Sequence, residues 1–316
     1  MSDTEPLAGR RLWLAGIGGA GMSAYALLAA GWGAEVSGWD RAETPYLGPL
    51  RAAGIAVTVA PEPPAPPADA ERYVSSAYAG VEGRPRAELL AELVSLRRSI
   101  VVAGAHGKTT TTALIAFCLD RLGLDPAFVV GGEVPQLGAN ARAGSGPLVV
   151  EGDESDRSVA ALRPQVAVLL NVDLDHHTEF ASRAEVEQLF EEWLAHVPEV
   201  VRGDELAPVT FDLAIPGPHN RQNAAAALAA LELVGVARAE AERVVVEFTG
   251  VGRRFERKGE AGGVTVVDDY GHNPAKVAAA IAAALATTEG RVLVLFQPHL
   301  FSRTLHSAHE FAAALA

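Results

Sequence analysis

The chain has 316 residues, 49% of them hydrophobic, with 26 basic against 39 acidic side chains and a formal charge of −13. Such a length suggests two or three domains, and the apolar content excludes general disorder. The acidic balance argues against non-specific nucleic-acid binding but leaves room for a nucleotide held by local donors.

The single cysteine, Cys118, excludes an internal disulfide and points to a reducing compartment. It falls on an apolar helix face and reads as a small buried hydrophobe, not a reactive thiol. The start "MSDTEPLAGRR" carries no signal-peptide pattern, and no uninterrupted apolar run is long enough to span a bilayer. The expectation is a cytoplasmic protein without membrane insertion.

In chain order, residues 11–15 read as a buried strand, 20–31 as a helix and 34–39 as a second strand, a βαβ unit that implies a parallel sheet. Gly16, Gly18 and Gly21 form G-x-G-x-x-G between that strand and helix. Glycines there permit a tight turn and close approach of a diphosphate to the helix N-terminus. Asp40 follows Gly21 by 19 residues, where a ribose-binding carboxylate belongs. These residues fit NAD and a UDP-sugar equally. "PEPPAPP" at 61–67 is read as an exposed loop, because "RYVSSA" at 72–77 looks like a further strand of the same sheet.

A second unit begins at "SIVVAGAHGKTTTTALIAFCLDRLG", with the strand–loop–helix order of a phosphate loop. The spacing is unusual: Gly107 and Lys108 are present, but Val102 stands where G-x-x-x-x-G-K-[ST] has its first glycine. Backbone N–H groups of the loop can cradle phosphates, Lys108 can meet the β/γ charge and Thr109 can ligate Mg²⁺. His106 either contacts a ligand or only shapes the loop. "EGDESD" places Glu151, Asp153, Glu154 and Asp156 at one strand end, and "NVDLDHH" places Asp173, Asp175, His176 and His177 at another. Such groups beside a phosphate suit one or two Mg²⁺ ions; solvated acidic loops, or a zinc site lacking a clear third ligand, are the other readings. His219, Asn220 and Asn223 begin a helix, the two asparagines serving either as helix-start residues or as amides that read an adenine edge. A third unit runs from "GVTVVDDYGHNP", a strand into a turn, through the helix "AKVAAAIAAALA" to an expected strand "RVLVLFQPH" and a final helical stretch.

Together, "GIGGAGMS", "AGAHGKTTTT", "EGDESD", "NVDLDHH", "GPHNRQNAAAAL", "GVGRRFE", "DDYGHNP" and "QPHLFSRT" occur in the order found in the Mur ligases, and from Leu12 to Thr304 the chain resembles that family. The short glycine loop resembles the one these ligases use for ATP. The resemblance implies a three-domain α/β architecture: residues 1–98 a Rossmann-like domain for the UDP-substrate, 99–252 a central P-loop ATPase domain for ATP and Mg²⁺, and 253–316 a partial Rossmann-like domain on the amino-acid side. "GIGGAGMS" favours the members that join L-alanine to UDP-N-acetylmuramate through an acyl phosphate, in peptidoglycan precursor synthesis. Carried over by position, the resemblance implies catalytic roles for Lys108, Glu151 and His176, and metal ligation by Thr109, Glu151 and His176. ATP would be held by Gly104, Gly107, Lys108, Thr109, Thr110, Asn220, Asn223, Arg254 and Asp269. The UDP-substrate would lie on Gly18, Gly19, Ala20, Gly21 and Asp40, with His272 and Arg303 facing the amino acid and the UDP-substrate.

There are departures. Asn273 replaces a histidine usual in the alanine-adding members, and Leu300 an arginine, which removes a cation from an anionic site. Two blocks of the family pattern are missing, one after "WLAHVPEV" and one after "HEFAAALA". About two strands remain in the third unit, too few for a stable open sheet by itself. A chain truly lacking those blocks is expected to be an impaired enzyme or a non-catalytic nucleotide-sugar binder. An NAD-dependent oxidoreductase is the remaining alternative, and it leaves the phosphate loop and both acidic clusters unexplained.

Overall fold

A computed structural model describes residues 5–174 and 179–316. The first sheet comprises β1 (Arg11–Ala15), β2 (Glu35–Asp40), β3 (Ala56–Val59), β4 (Glu71–Val74) and β5 (Arg84–Pro85), with helices α1 (Ala20–Gly31), α2 (Leu47–Ala52) and α3 (Arg86–Ser95). All its strands are parallel, in the order β3-β2-β1-β4-β5. Four of the five β1 residues are buried, as a strand covered on both faces requires. The proline-rich loop is irregular, and β4 behind it joins the same sheet beside β1.

The second sheet has six strands: β6 (Ser99–Ala103), β7 (Ala127–Val134), β8 (Ala139–Arg142), β9 (Leu148–Glu151), β10 (Val166–Leu169) and β11 (Glu199–Arg202). Their order is β11-β10-β6-β9-β7-β8, parallel except where β8 turns back on β7. Helices α4 (Lys108–Arg121), α5 (Arg183–Leu194), α6 (Pro218–Leu233) and α7 (Arg238–Val245) complete this unit. Helix α4 buries ten of its residues between the sheet and α6. The buried run Ala224–Ala227 lets α6 approach closely.

The two sheets share one apolar core, which runs from Leu12 and Leu28 to Ala103, Ala141 and Leu148. Helix α1 packs on β7 and β8 of the other unit. A Cβ at Gly31 would lie 2.3 Å from that of Ala143, and the Trp32 indole donates to the Gly144 carbonyl at 3.1 Å.

Between β11 and α6 the chain takes a short path over residues 203–217, where the family pattern is interrupted. Val209 and Ile215 are buried under it. Arg221 donates to the carbonyls of Val209 (3.2 Å) and Phe211 (2.6 Å), and Gln222 to those of Gly203 and Leu206. The connection is thus tied down by the first turns of α6.

In the third unit, β12 (Glu256–Ala261) and β13 (Val264–Asp268) pair antiparallel, followed by α8 (Pro274–Thr287), α9 (Phe301–His306) and α10 (Ala308–Leu315). Asn273 caps α8, accepting from the Lys276 N–H at 2.8 Å, which gives it a structural role. The strand expected over "RVLVLFQPH" does not form: residues 291–300 lack regular structure, and Leu293 and Leu295 are 82% and 101% exposed. A continuous apolar run such as 292–296 gives a strand only when it pairs with a neighbour, and among the described residues it pairs with none. Among the described residues β13 pairs with β12 alone, within a two-stranded sheet.

Candidate active site

β6 lies between β9 and β10, at the switch point of the second sheet, and its C-terminal end opens into the glycine loop. Gly107 has φ +86°, and a Cβ there would lie 2.4 Å from Asn223 Oδ1, so both conformation and space require glycine. Asn171, just beyond β10, clamps the loop. Its Oδ1 accepts from the His106 N–H at 2.9 Å and its Nδ2 donates to the His106 carbonyl at 3.0 Å. The His106 ring lies 3.5 Å from Asp173.

Lys108 begins α4 and folds back over the loop. Its ammonium donates to the Gly104 carbonyl at 2.6 Å and to both oxygens of Glu154, at 2.8 and 3.0 Å. Glu154 is only 2% exposed, so a buried carboxylate fixes the lysine that would meet phosphate. Thr109 turns the other way and donates to Glu151 Oε2 at 3.1 Å. Glu151 also accepts from the Gly131 N–H. Burial pushes the Glu151 pKa above the ordinary carboxylate range, although Gly131, Lys108 and Arg254 oppose the shift. A desolvated carboxylate beside a hydroxyl is a hard-oxygen pair that suits Mg²⁺ and would gain from its charge. His176, the third expected ligand, lies outside the described residues, with Asp175 and His177.

The first glycine loop is organised differently. The Gly18 N–H donates to Asp40 Oδ2 at 2.8 Å, while Oδ1 accepts from Tyr78 Oη and the Arg41 N–H, both at 2.7 Å. Thr44 Oγ1 donates to the Gly18 carbonyl at 2.8 Å. Asp40 therefore shapes the loop from beneath. Gly19 stands at the N-cap of α1 without a side-chain cap, and Gly19 and Ala20 are exposed, leaving the helix's first N–H groups for an anion. From here a cavity of about 190 Å³ leads to the phosphate loop; Gly21, Arg86, Lys108, Glu151, Asp153 and Ser158 are among its lining.

Asn220 and Asn223 are buried at the start of α6, behind the loop. Asn220 donates to the Pro216 carbonyl at 2.6 Å, and Asn223 donates to Asn220 at 3.2 Å. Burial lowers the pKa of their neighbour His219. Thr110 is half-buried on α4.

From the third unit, Arg254 reaches Thr109 Oγ1 at 3.4 Å, which brings a cation to the Thr109–Glu151 pair. Asp269 accepts from the Phe255 N–H at 2.8 Å and braces that turn. His272 packs against Tyr270 with ring centroids 4.9 Å apart, and its Nε2 is 3.3 Å from Lys276 Nζ. His299 joins the cluster, 6.4 Å from His272. Arg303 lies half-buried on α9, which packs on α10.

The sequence reading did not single out Asn171 or Tyr78, and it gave Glu151 a role but did not foresee that Glu154 holds Lys108. Asn171 lay within a quoted motif, but its acidic and histidine neighbours carried the chemical signal.

The three units were compared with known proteins. Residues 14–98 match the Mur ligase family catalytic domain, 102–205 the Mur ligase middle domain and 253–316 the Mur ligase glutamate ligase domain. The chain is 37% identical to the UDP-N-acetylmuramate–L-alanine ligase of Streptomyces coelicolor, over 100% of its own length and 82% of the relative's. It is 38% identical to that of Rubrobacter xylanophilus, over 96% and 81%. Among solved structures, the UDP-N-acetylmuramate-alanine ligase of Thermotoga maritima superimposes with a TM-score of 0.79 at 25% identity, covering 96% of this chain and 83% of that one. The Streptomyces alignment spans 381 positions against 316 residues here, so this chain follows a shorter path through the same region. With all three units matched in order and identity sustained over the full length, the chain belongs to the Mur ligase family.

Proposed function

We propose that the protein joins L-alanine to UDP-N-acetylmuramate with hydrolysis of ATP to ADP and phosphate, as a cytoplasmic step in peptidoglycan precursor synthesis. The observation that carries this reading is one cavity lined by the open N-terminus of α1 and by Lys108 and Glu151, with Thr109 bonded to Glu151 behind it. The relatives that match along the whole chain are named for this reaction.

In this reading the UDP diphosphate rests on the N–H groups of Ala20 and Gly21 at the start of α1, with Gly18, Gly19 and Asp40 holding the loop in shape. Gly104, Gly107, Lys108, Thr109 and Thr110 receive the phosphates of ATP. Asn220 and Asn223 stand on the adenine side, with Arg254 and Asp269 at the join to the third unit. Thr109 and Glu151 would hold Mg²⁺, which supplies charge neutralisation at the transferring phosphoryl group. Lys108, fixed by Glu154, places a positive charge there without having to be ordered at the moment of reaction. A lactyl carboxylate oxygen attacks the γ-phosphorus and ADP departs, leaving an acyl phosphate. The alanine amine then attacks that carbonyl, phosphate leaves, and the nitrogen loses a proton. His272 and Arg303 stand on the amino-acid side. The protein's contribution is to hold reactants and charge in place, and no covalent protein nucleophile is needed.

The test is ADP release with the wild-type chain. Release that requires both UDP-N-acetylmuramate and L-alanine, with a product heavier by one alanyl residue, supports the ligase. Tight binding of the UDP-sugar without ADP release would replace it with the non-catalytic binder.

A further inference from the structure

Arg86 is the first residue of α3, in the first unit, and its side chain crosses to the second. Nη2 donates to Asp156 at 2.6 Å and lies 3.9 Å from Asp153. Nη1 lies 3.1 Å from the point a Cβ on Gly21 would occupy, so the guanidinium rests directly against the glycine loop. Nε is buried and has no hydrogen-bond partner.

This is a costly position for a cation. A helix N-terminus carries positive partial charge, which disfavours arginine in the first turn. The side chain is only 23% exposed, so much of its hydration is lost. Asp156 answers one edge of the guanidinium and leaves donors of the fork unused. Arg86 and Lys108 are the two basic side chains among the residues lining the cavity, and Lys108 is already held by Glu154 and Gly104. The fork therefore stands between the diphosphate end of the cavity and the phosphoryl-transfer end, with capacity for one more anionic oxygen.

We propose that Arg86 is a substrate-binding residue that receives an anionic oxygen of the UDP-sugar at the boundary between the two units. This rests on the function proposed above. Two groups of that substrate share the required chemistry, the diphosphate and the lactyl carboxylate. Asp156 orients the fork, and glycine at position 21 gives the guanidinium room to approach.

The experiment is calorimetric titration of UDP, UDP-N-acetylglucosamine and UDP-N-acetylmuramate into wild type, Arg86→Ala and Arg86→Lys, with the KM for ATP measured alongside. Arg86→Ala is expected to weaken UDP-N-acetylmuramate about tenfold or more, as loss of a charge-assisted hydrogen bond would. The KM for ATP should stay within about twofold, because Lys108 and Thr109 are untouched. Arg86→Lys keeps the charge and guards against a folding defect; it should recover only part of the affinity, lacking the planar fork. A loss shared by all three ligands assigns the diphosphate, and a loss confined to UDP-N-acetylmuramate assigns the carboxylate. Wild-type binding with unchanged affinities in both variants overturns the assignment and leaves Arg86 as a strut between units. A wild-type chain that binds none of the three overturns both this assignment and the proposed function.

Discussion

The two glycine loops share a plan and differ in the residues set around it. Each joins the C-terminal end of a central parallel strand to a helix, at the switch point of its sheet. In the first, the polar partners lie beneath the loop: Asp40, Thr44 and Tyr78 bond to Gly18 or to one another, and the helix start is left bare. In the second, the partners are charged side chains: Lys108 and Thr109 are paired with the carboxylates of Glu154 and Glu151. Backbone geometry alone makes an anion seat. In the proposed reading, the added cation, hydroxyl and carboxylate make the second loop the place where a phosphoryl group moves.

The largest effect that would break this contrast is expected from Lys108→Ala. Turnover should fall by about 10²–10³-fold or more, the order seen when one preorganised electrostatic donor is removed. Calorimetry should show UDP-substrate affinity nearly unchanged; retained turnover would show that the second loop is not the seat of phosphoryl transfer.

Glu151→Gln should also cost about 10²-fold in rate, but with an opposite sign in stability. The raised Glu151 pKa means that the metal-free fold is penalised as pH rises through that shifted value, because the folded chain must ionise a half-buried, partly desolvated group that the unfolded chain ionises earlier. The Glu151 contribution is fully present below the ordinary carboxylate pKa and is lost above the folded one. Thermal melts across that window should slope less for the glutamine variant, and equal slopes would remove Glu151 as the desolvated group.

Asp40→Ala sharpens the comparison from the other side. It removes the acceptor of the Gly18 N–H and should weaken UDP-substrate binding roughly tenfold, in line with about 1–3 kcal/mol for a stranded buried donor. The KM for ATP should not move. Asn171→Ala is expected to be milder: it frees the His106 backbone and should raise the KM for ATP several-fold, with UDP-substrate affinity intact.

Both strand–loop–helix units were legible in the sequence because periodicity and glycine spacing are local. So were Lys108, Thr109 and Glu151 as candidates, since each sits at or next to an element end. The pairing of Glu154 with Lys108 was not legible: only two residues separate it from Glu151, and which carboxylate meets which partner depends on the loop after β9. Asn171 meets His106 across 65 residues, and Arg86 meets Asp156 across 70, contacts that exist only once strands and units are side by side. The run at 291–300 shows the reverse error: its continuous apolar, β-branched stretch is strand-like, but a strand also needs a paired neighbour.

The apolar core common to the first two sheets has a thermodynamic consequence. Two bodies that bury the same side chains cannot melt separately without each exposing that surface. The two glycine loops therefore belong to one cooperative block, set at a fixed span by the packing of α1 on β7 and β8. The third unit hangs from a link in which Arg253 and Phe255 take φ of +58° and +48°. A calorimetric scan should show one dominant transition for the block, and hydrogen exchange should find the 256–316 amides opening well before it. If those amides open first, Arg254 can leave Thr109 while the span between the two glycine loops stays fixed.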